Sequence, residues 1–164
     1  GEYIGFVDGD DIAHENMYRL LFDEMKRTDV DFVHAGYYEL ENNKTHLTNP
    51  GLYHKGCEID MVKGVIRRDT DAISPSIWSK LFKRECIINS YHKVDDNNSY
   101  GEDLIALCSL LLDGCSFSIL DKPVYYYRRR TDSITRGKNI SALKSIVNLY
   151  DKLQQMMRES YLRG

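Results

Sequence analysis

Apolar and polar positions alternate between two periods along this chain. Tyr3-Ile4-Gly5-Phe6-Val7 is a short continuous apolar run, which predicts a strand buried on both faces, as in a parallel sheet. It stops abruptly at Asp8-Gly9-Asp10-Asp11, so the acidic cluster lies at the carboxyl end of the strand, where open α/β sheets bind ligands. From about Ala13 to Arg27 the period is helical, with Met17, Leu20, Leu21 and Met25 on one face. Asp31 to Leu40 reads as a second strand. Glu41 to Gly56 is polar and turn-rich, and a short helix follows near Glu58 to Ile66.

Ser74-Pro75-Ser76 breaks the chain before Ile77-Trp78-Ser79-Lys80-Leu81-Phe82-Lys83-Arg84, which is half apolar and half basic. After a polar loop at Asp95 to Ser99, Leu104 to Leu112 is apolar nearly all round and predicts a buried helix ended by Gly114. Phe117 to Leu120 and Val124 to Arg128 read as two strands around a Lys122-Pro123 turn. A last helix runs from about 141 to 160, with Ser141 as its cap and Leu143, Ile146, Val147, Tyr150, Leu153 and Met157 as its face. Strands alternating with helices predict an α/β fold, and no repeat or linker divides residues 1–164, so one domain is expected.

Composition narrows the function classes. Apolar residues at 42% and charged residues at 29% describe an ordinary globular chain. The net charge of -3, with 22 basic against 25 acidic residues, gives no electrostatic footprint for nucleic acid. No apolar stretch is long enough to cross a bilayer. The four cysteines, Cys57, Cys86, Cys108 and Cys115, include no C-x-x-C pair, so neither a zinc knuckle nor a thioredoxin-like motif is expected. Reduced thiols and a cytoplasmic location, peripheral to the inner face of the membrane, are the expectation. The chain opens directly on a strand-like run without a methionine, which reads as a fragment. His34, His54 and His92 have no metal-ligand spacing.

Three constellations carry candidate chemistry. In Asp8-Gly9-Asp10-Asp11, carboxylates crowded into one turn repel each other unless a cation or donor groups offset them, and hard divalent cations take such oxygens. The competing account is a solvated turn that caps the following helix. Gly101-Glu102-Asp103 places two carboxylates at a helix start, where they stabilise the helix dipole or, at a cleft edge, act as a general base. In Tyr125-Tyr126-Tyr127-Arg128-Arg129-Arg130, strand alternation puts Tyr125 and Tyr127 on one face, and the arginines suit a phosphate or a solvated edge. Trp78 is a core residue or a platform for a sugar ring.

Taken in order, Gly1 to Asp11, Ile77 to Arg84, Gly101 to Leu104, Tyr126-Tyr127-Arg128 and Ser133-Ile134-Thr135 resemble family 2 glycosyltransferases of the GT-A type. The resemblance spans Gly1 to about Thr135, and it is the ordered set rather than the acidic motif that is specific. It implies a GT-A-like (Rossmann-like) mixed sheet flanked by helices, truncated at its N-terminus because the nucleotide-binding half precedes the acidic strand. It implies inverting transfer from a nucleotide-sugar, with UDP-sugars the expected donors, to a hydroxyl of a glycan. Asp8 and Asp10 then bind Mn²⁺ or Mg²⁺ and the donor, with Asp11 a second contact. Asp103 is the base and Glu102 positions the acceptor. Arg128 and Arg130 approach the donor diphosphate, and Trp78 and Lys80 line the acceptor side. A chain lacking the nucleotide-binding half is expected to bind donor poorly, to be weakly active or inactive alone, and to self-associate through an unpaired sheet edge. The competing functions are a non-catalytic interaction module and, lower, a metal-dependent phosphoesterase.

Overall fold

The computed structural model describes residues 1–41, 44–48, 51, 58–69, 72–94, 101–129 and 140–163. Its elements are β1 (Tyr3–Gly5), β2 (Ile12–Ala13), α1 (Met17–Thr28), β3 (Phe32–Glu41), β4 (Lys44–Leu47), α2 (Glu58–Arg67), β5 (Lys80–Lys83), α3 (Arg84–Tyr91), α4 (Glu102–Leu112), β6 (Phe117–Arg128) and α5 (Ile140–Arg163). The strands form one sheet in the order β1-β5-β3-β6-β2, with β4 also paired to β3. β3 runs parallel to β6 and antiparallel to β5 and β4, so the sheet is mixed.

Period-2 alternation along β3 sorts its side chains between two cores. Phe32 faces the core shared with α2, α3, α4 and α5, while Val33 and Ala35 face the core shared with α1. Across the first of these faces Phe32 stacks on Phe82 of β5 at 5.6 Å and on Phe117 of β6 at 5.1 Å between ring centroids. These rings sit directly opposite one another in register, as aromatic cross-strand pairs do. On the other face Met17, Leu21 and Met25, spaced four apart, seat α1.

Several expectations are corrected by tertiary pairing. α1 starts at Met17 rather than near Ala13, because Ile12 and Ala13 pair with Tyr126 and Tyr125 as β2. β1 is half-buried and antiparallel to β5, not buried in a parallel sheet: it ends the strand path, where the helices covering the central strands reach it only in part. The polar stretch after β3 contains β4, exposed throughout, so no apolar alternation signals it. α3 buries only Ile87 and Ser90, too narrow a face to show as a period.

The two strands expected around Lys122-Pro123 are one strand, β6. Its register against β3 shifts between Ala35↔Leu120 and Tyr37↔Tyr125, and the intervening residues bulge out at the proline, which has no N–H for the ladder. The Val124 carbonyl accepts the His14 N–H at 2.9 Å and so ties the bulge to the start of α1.

Helix α5 buries Leu149, Leu153 and Met156, whereas Val147 and Tyr150 of the expected face are 58% and 52% exposed. The contact with α4 selects this face. Gly101, at φ +81° before α4, lies so close to α5 that a Cβ would meet Leu149 Cδ2 at 2.5 Å. Gly101→Ala therefore combines left-handed strain with a clash and is expected to lower stability by about 2 kcal/mol. Gly9→Ala, with open space around it, is expected to change stability by less than about 0.5 kcal/mol. Urea midpoints of the two variants measure the difference.

Candidate active site

The acidic turn is held from across the sheet. Asp11 N–H closes the turn on the Asp8 carbonyl at 3.1 Å. The Tyr125 hydroxyl accepts the Asp8 N–H at 3.0 Å and donates to Asp11 Oδ2 at 2.9 Å. The Arg128 N–H donates to Asp11 Oδ1 at 2.8 Å. Asp11 thus spends both oxygens on β6, while Asp8 and Asp10 remain exposed at the mouth of the turn. The turn does not cap α1, which begins after Asn16. The Asp8 carboxyl is pushed up by the protein mass around it and then by Asp11, Asp10 and Glu102. Burial pushes Asp11 up as well, against the Arg128 N–H and the Tyr125 hydroxyl.

The second acidic pair enters the same field. Asp103, in the first turn of α4, accepts the Ile77 N–H at Oδ2 (3.2 Å) and is hydrogen-bonded to the Tyr91 hydroxyl at the end of α3. Tyr91 in turn stacks on Phe6 at 6.0 Å, two residues before Asp8. Burial pushes the Asp103 carboxyl up to about 6; Glu102 and Asp8 add to the rise, and the Ile77 N–H and Lys80 oppose it. A helix N-terminus favours a carboxylate, so here burial outweighs the dipole. Glu102 is exposed beside it.

Trp78 and Lys80 do not line an open acceptor face. Two residues apart in a regular strand, they would share a side. Ser79 between them is left-handed at φ +57°, with its hydroxyl donating to the Ala35 carbonyl at 2.9 Å, and this breaks the alternation. Trp78 goes to the α1 side, 7% exposed, stacked on Tyr125 and Tyr127 at 4.7 and 5.2 Å. Lys80 goes to the α4 side, fully buried, its Nζ donating to the carbonyls of Ser74 (3.0 Å) and Ser76 (2.6 Å). Burial pushes Lys80 down to about 7, and Asp103 pulls the other way. Lys80 serves the site from beneath, by shaping the 74–77 segment that supplies Asp103 with its N–H donor.

Tyr125 and Tyr127 share a face as the sequence predicts, and Tyr126 faces the other way onto Tyr38 at 5.2 Å. Arg128 is exposed and electrostatically coupled to Asp11, while Arg129 pairs with Glu39 at 2.9 Å. Arg130 lies outside the described residues, as does His54. Sequence reasoning missed Tyr91, the Ile77 N–H and the clamping role of the Tyr125 hydroxyl. No local pattern marks a tyrosine that works through contacts so distant in sequence.

A divalent cation suits the donor set of the acidic turn: Asp8 carries excess negative field from three neighbouring carboxylates. The turn offers an open set rather than a closed cage. Among the described residues, the one trio of Asp, Glu, His or Cys ligand atoms all within 4.8 Å is Asp31, Cys86 and Cys115, elsewhere in the fold. Mg²⁺ and Mn²⁺ commonly bind through one or two carboxylates with substrate oxygens completing the shell. A separate open hollow of about 580 Å³, lined by Tyr3, Gly5, Tyr18, Arg19, Phe22 and Leu81, lies against β1 and α1, away from Asp103.

No protein family profile matches the chain. It is 26% identical over 137 residues to the uncharacterised glycosyltransferase EpsJ of Bacillus subtilis, covering 82% of this chain and 40% of that protein. It is 26% identical over 162 residues to the glycosyltransferase GlyG of Streptococcus pneumoniae, covering 93% of this chain and 52% of that protein. The crystal structure of residues 1–349 of S. aureus TarS in complex with UDP-GlcNAc superposes with a TM-score of 0.64 at 15% identity, over 95% of this chain and 42% of that one. The chain is similar to glycosyltransferases. Its fold is GT-A-like. It spans about half or less of the length of the curated relatives it matches.

Two expectations follow from the site. Tyr125→Phe leaves the Asp8 N–H and one Asp11 oxygen without their partner, and is expected to cost about 1–2 kcal/mol in chemical denaturation. Asp103 is raised from 3.8 to about 6, so the folded state holds its proton more tightly than the unfolded chain. Its contribution favours folding below about pH 4 and is lost as pH rises through about 6. Asp103→Asn is therefore expected to gain stability relative to the parent across that window, read from urea midpoints at pH 4, 5, 6 and 7.

Proposed function

We propose that this chain carries the catalytic carboxylates of an inverting glycosyltransferase, which moves a sugar from a nucleoside-diphosphate donor, a UDP-sugar, to a hydroxyl of a glycan acceptor. The observation that carries this reading is the convergence of Asp8 and Asp103, well separated in the sequence, into one electrostatic field, with Asp103 held near 6. A general base works best with a pKa near the operating pH, and burial brings this carboxyl there. The similarity to EpsJ and GlyG supports glycosyl transfer, and the fold shared with TarS, crystallised with UDP-GlcNAc, supports a nucleotide-sugar donor.

In this reading Asp103 accepts the proton of the acceptor hydroxyl as its oxygen attacks the anomeric carbon, and the Ile77 N–H and Tyr91 hydroxyl keep its carboxyl oriented. Exposed Glu102 positions the acceptor. Asp8 and Asp10 would hold Mn²⁺ or Mg²⁺, which when bound would supply positive charge to the donor diphosphate. Asp11 fixes the turn, and exposed Arg128 stands beside the diphosphate. No helix among the described residues is long and apolar enough to cross a membrane.

Calorimetric titration of UDP into the 164-residue chain, with and without Mn²⁺, tests the donor site. Metal-dependent binding that weakens in Asp10→Asn and persists in Asp103→Asn is expected; binding indifferent to metal and to Asp10→Asn would overturn the assignment. UDP release from UDP-sugars in the presence of acceptor is expected to rise with pH through about 6, as Asp103 loses its proton, and to fall roughly 10²–10⁴-fold in Asp103→Asn.

A further inference from the structure

At the end of the α3–α4 pair opposite Asp103, two thiols meet. Cys86 lies in the first turn of α3, and Cys115 follows the Gly114 turn that ends α4. Their sulfurs and an Asp31 carboxylate oxygen all lie within 4.8 Å of one another, and the two thiols are hydrogen-bonded. Both are only half-buried, whereas Cys108 is fully enclosed in α4.

Asp31 holds the pair together. Its Oδ2 accepts the N–H (2.9 Å) and the hydroxyl (2.8 Å) of Ser116, the neighbour of Cys115. Its Oδ1 accepts Lys83 Nζ at 3.1 Å, just before the α3 turn that carries Cys86. One carboxylate thus fixes the chain on both sides of the thiol contact. Its oxygens are also committed, and the Lys83 ammonium beside them disfavours a cation in the same place, so thiol chemistry fits the cluster better than metal binding.

We propose that Cys86 and Cys115 are a redox modification site that closes to an intramolecular disulfide by exchange with a low-molecular-weight disulfide. The Cys86 thiolate attacks one sulfur of the small disulfide, whose S–S bond breaks and releases one thiol. Cys115 gives up its proton and attacks the Cys86 sulfur of the mixed disulfide, releasing the second thiol. The protein loses two electrons and two protons, and the small disulfide is reduced to two thiols. Cys86 is the first nucleophile: burial raises both thiols, but the Cys115 thiol hydrogen-bonded to Cys86 and the Lys83 ammonium beside it favour the Cys86 thiolate, with Asp31 and Glu85 opposing. Cys115 is pushed up to about 12 by burial, then by Cys86, Asp31 and Asp113.

The test is incubation of the folded chain with glutathione disulfide, followed by thiol counting, intact mass and a non-reducing peptide map. The expected result is loss of two of the four thiols, a monomer two hydrogens lighter, a linked peptide containing Cys86 and Cys115, and full reversal by dithiothreitol. Cys115→Ser is expected to retain one glutathione on Cys86, Cys86→Ser to lose the closure, and Cys108→Ser to keep it. Circular dichroism confirms that each variant is folded. Survival of all four thiols, a link through Cys57 or Cys108, or disulfide-linked dimers would overturn the proposal.

Discussion

The Tyr125 hydroxyl ties the acidic turn at Asp8 to Asp11 to β6. It receives the Asp8 N–H and donates to the Asp11 carboxylate, while Arg128 adds its own N–H to the same group. A turn with three carboxylates is driven apart by its own charge. By committing Asp11 to β6, the fold takes one of the three out of the open mouth and leaves Asp8 and Asp10 exposed beside Glu102. Tyr125 itself is immobilised by stacking on Trp78, and Trp78 reaches it because Ser79 is left-handed. The geometry of the site thus descends from an aromatic stack inside the core.

The other half of the site is built with the same economy. Asp103 is buried enough to be raised to about 6, yet the Ile77 N–H and the Tyr91 hydroxyl fix its direction. Fully buried Lys80 does not meet solvent; it gathers the Ser74 and Ser76 carbonyls and so shapes the segment that donates from Ile77. A buried ammonium without such acceptors would be costly. Phe6, stacked on Tyr91, connects the strand that leads into the acidic turn with the helix that contacts Asp103. The two carboxylate groups are therefore coupled through packing as well as through charge.

Helices α3 and α4 span the distance between this site and the Cys86–Cys115 pair. Their ends near Tyr91 and Asp103 face the candidate site, and their opposite ends are fixed by Asp31 through Ser116 and Lys83. A carboxylate at the start of β3 thus organises the far end of the helix pair much as Asp11 organises the acidic turn, with a side chain from one element satisfying donors from another.

The sequence by itself determined the α/β class, the existence of α1, α2 and the buried α4, and the Tyr125/Tyr127 face, and it singled out the carboxylates Asp8, Asp10, Glu102 and Asp103 as candidates. These are local signals: a period, a run of apolar residues, a cluster of like charges. Only the tertiary structure decided that β1 ends the sheet path, that β6 is one bulged strand, that α5 turns Leu149 rather than Tyr150 inward, and that Trp78 and Lys80 part to opposite sides of the sheet. Each of these turns on a contact with residues remote in sequence, or on a single backbone angle at Ser79 or Gly101. Side-chain periodicity cannot register either, because it counts positions along one element and not the partners that element meets.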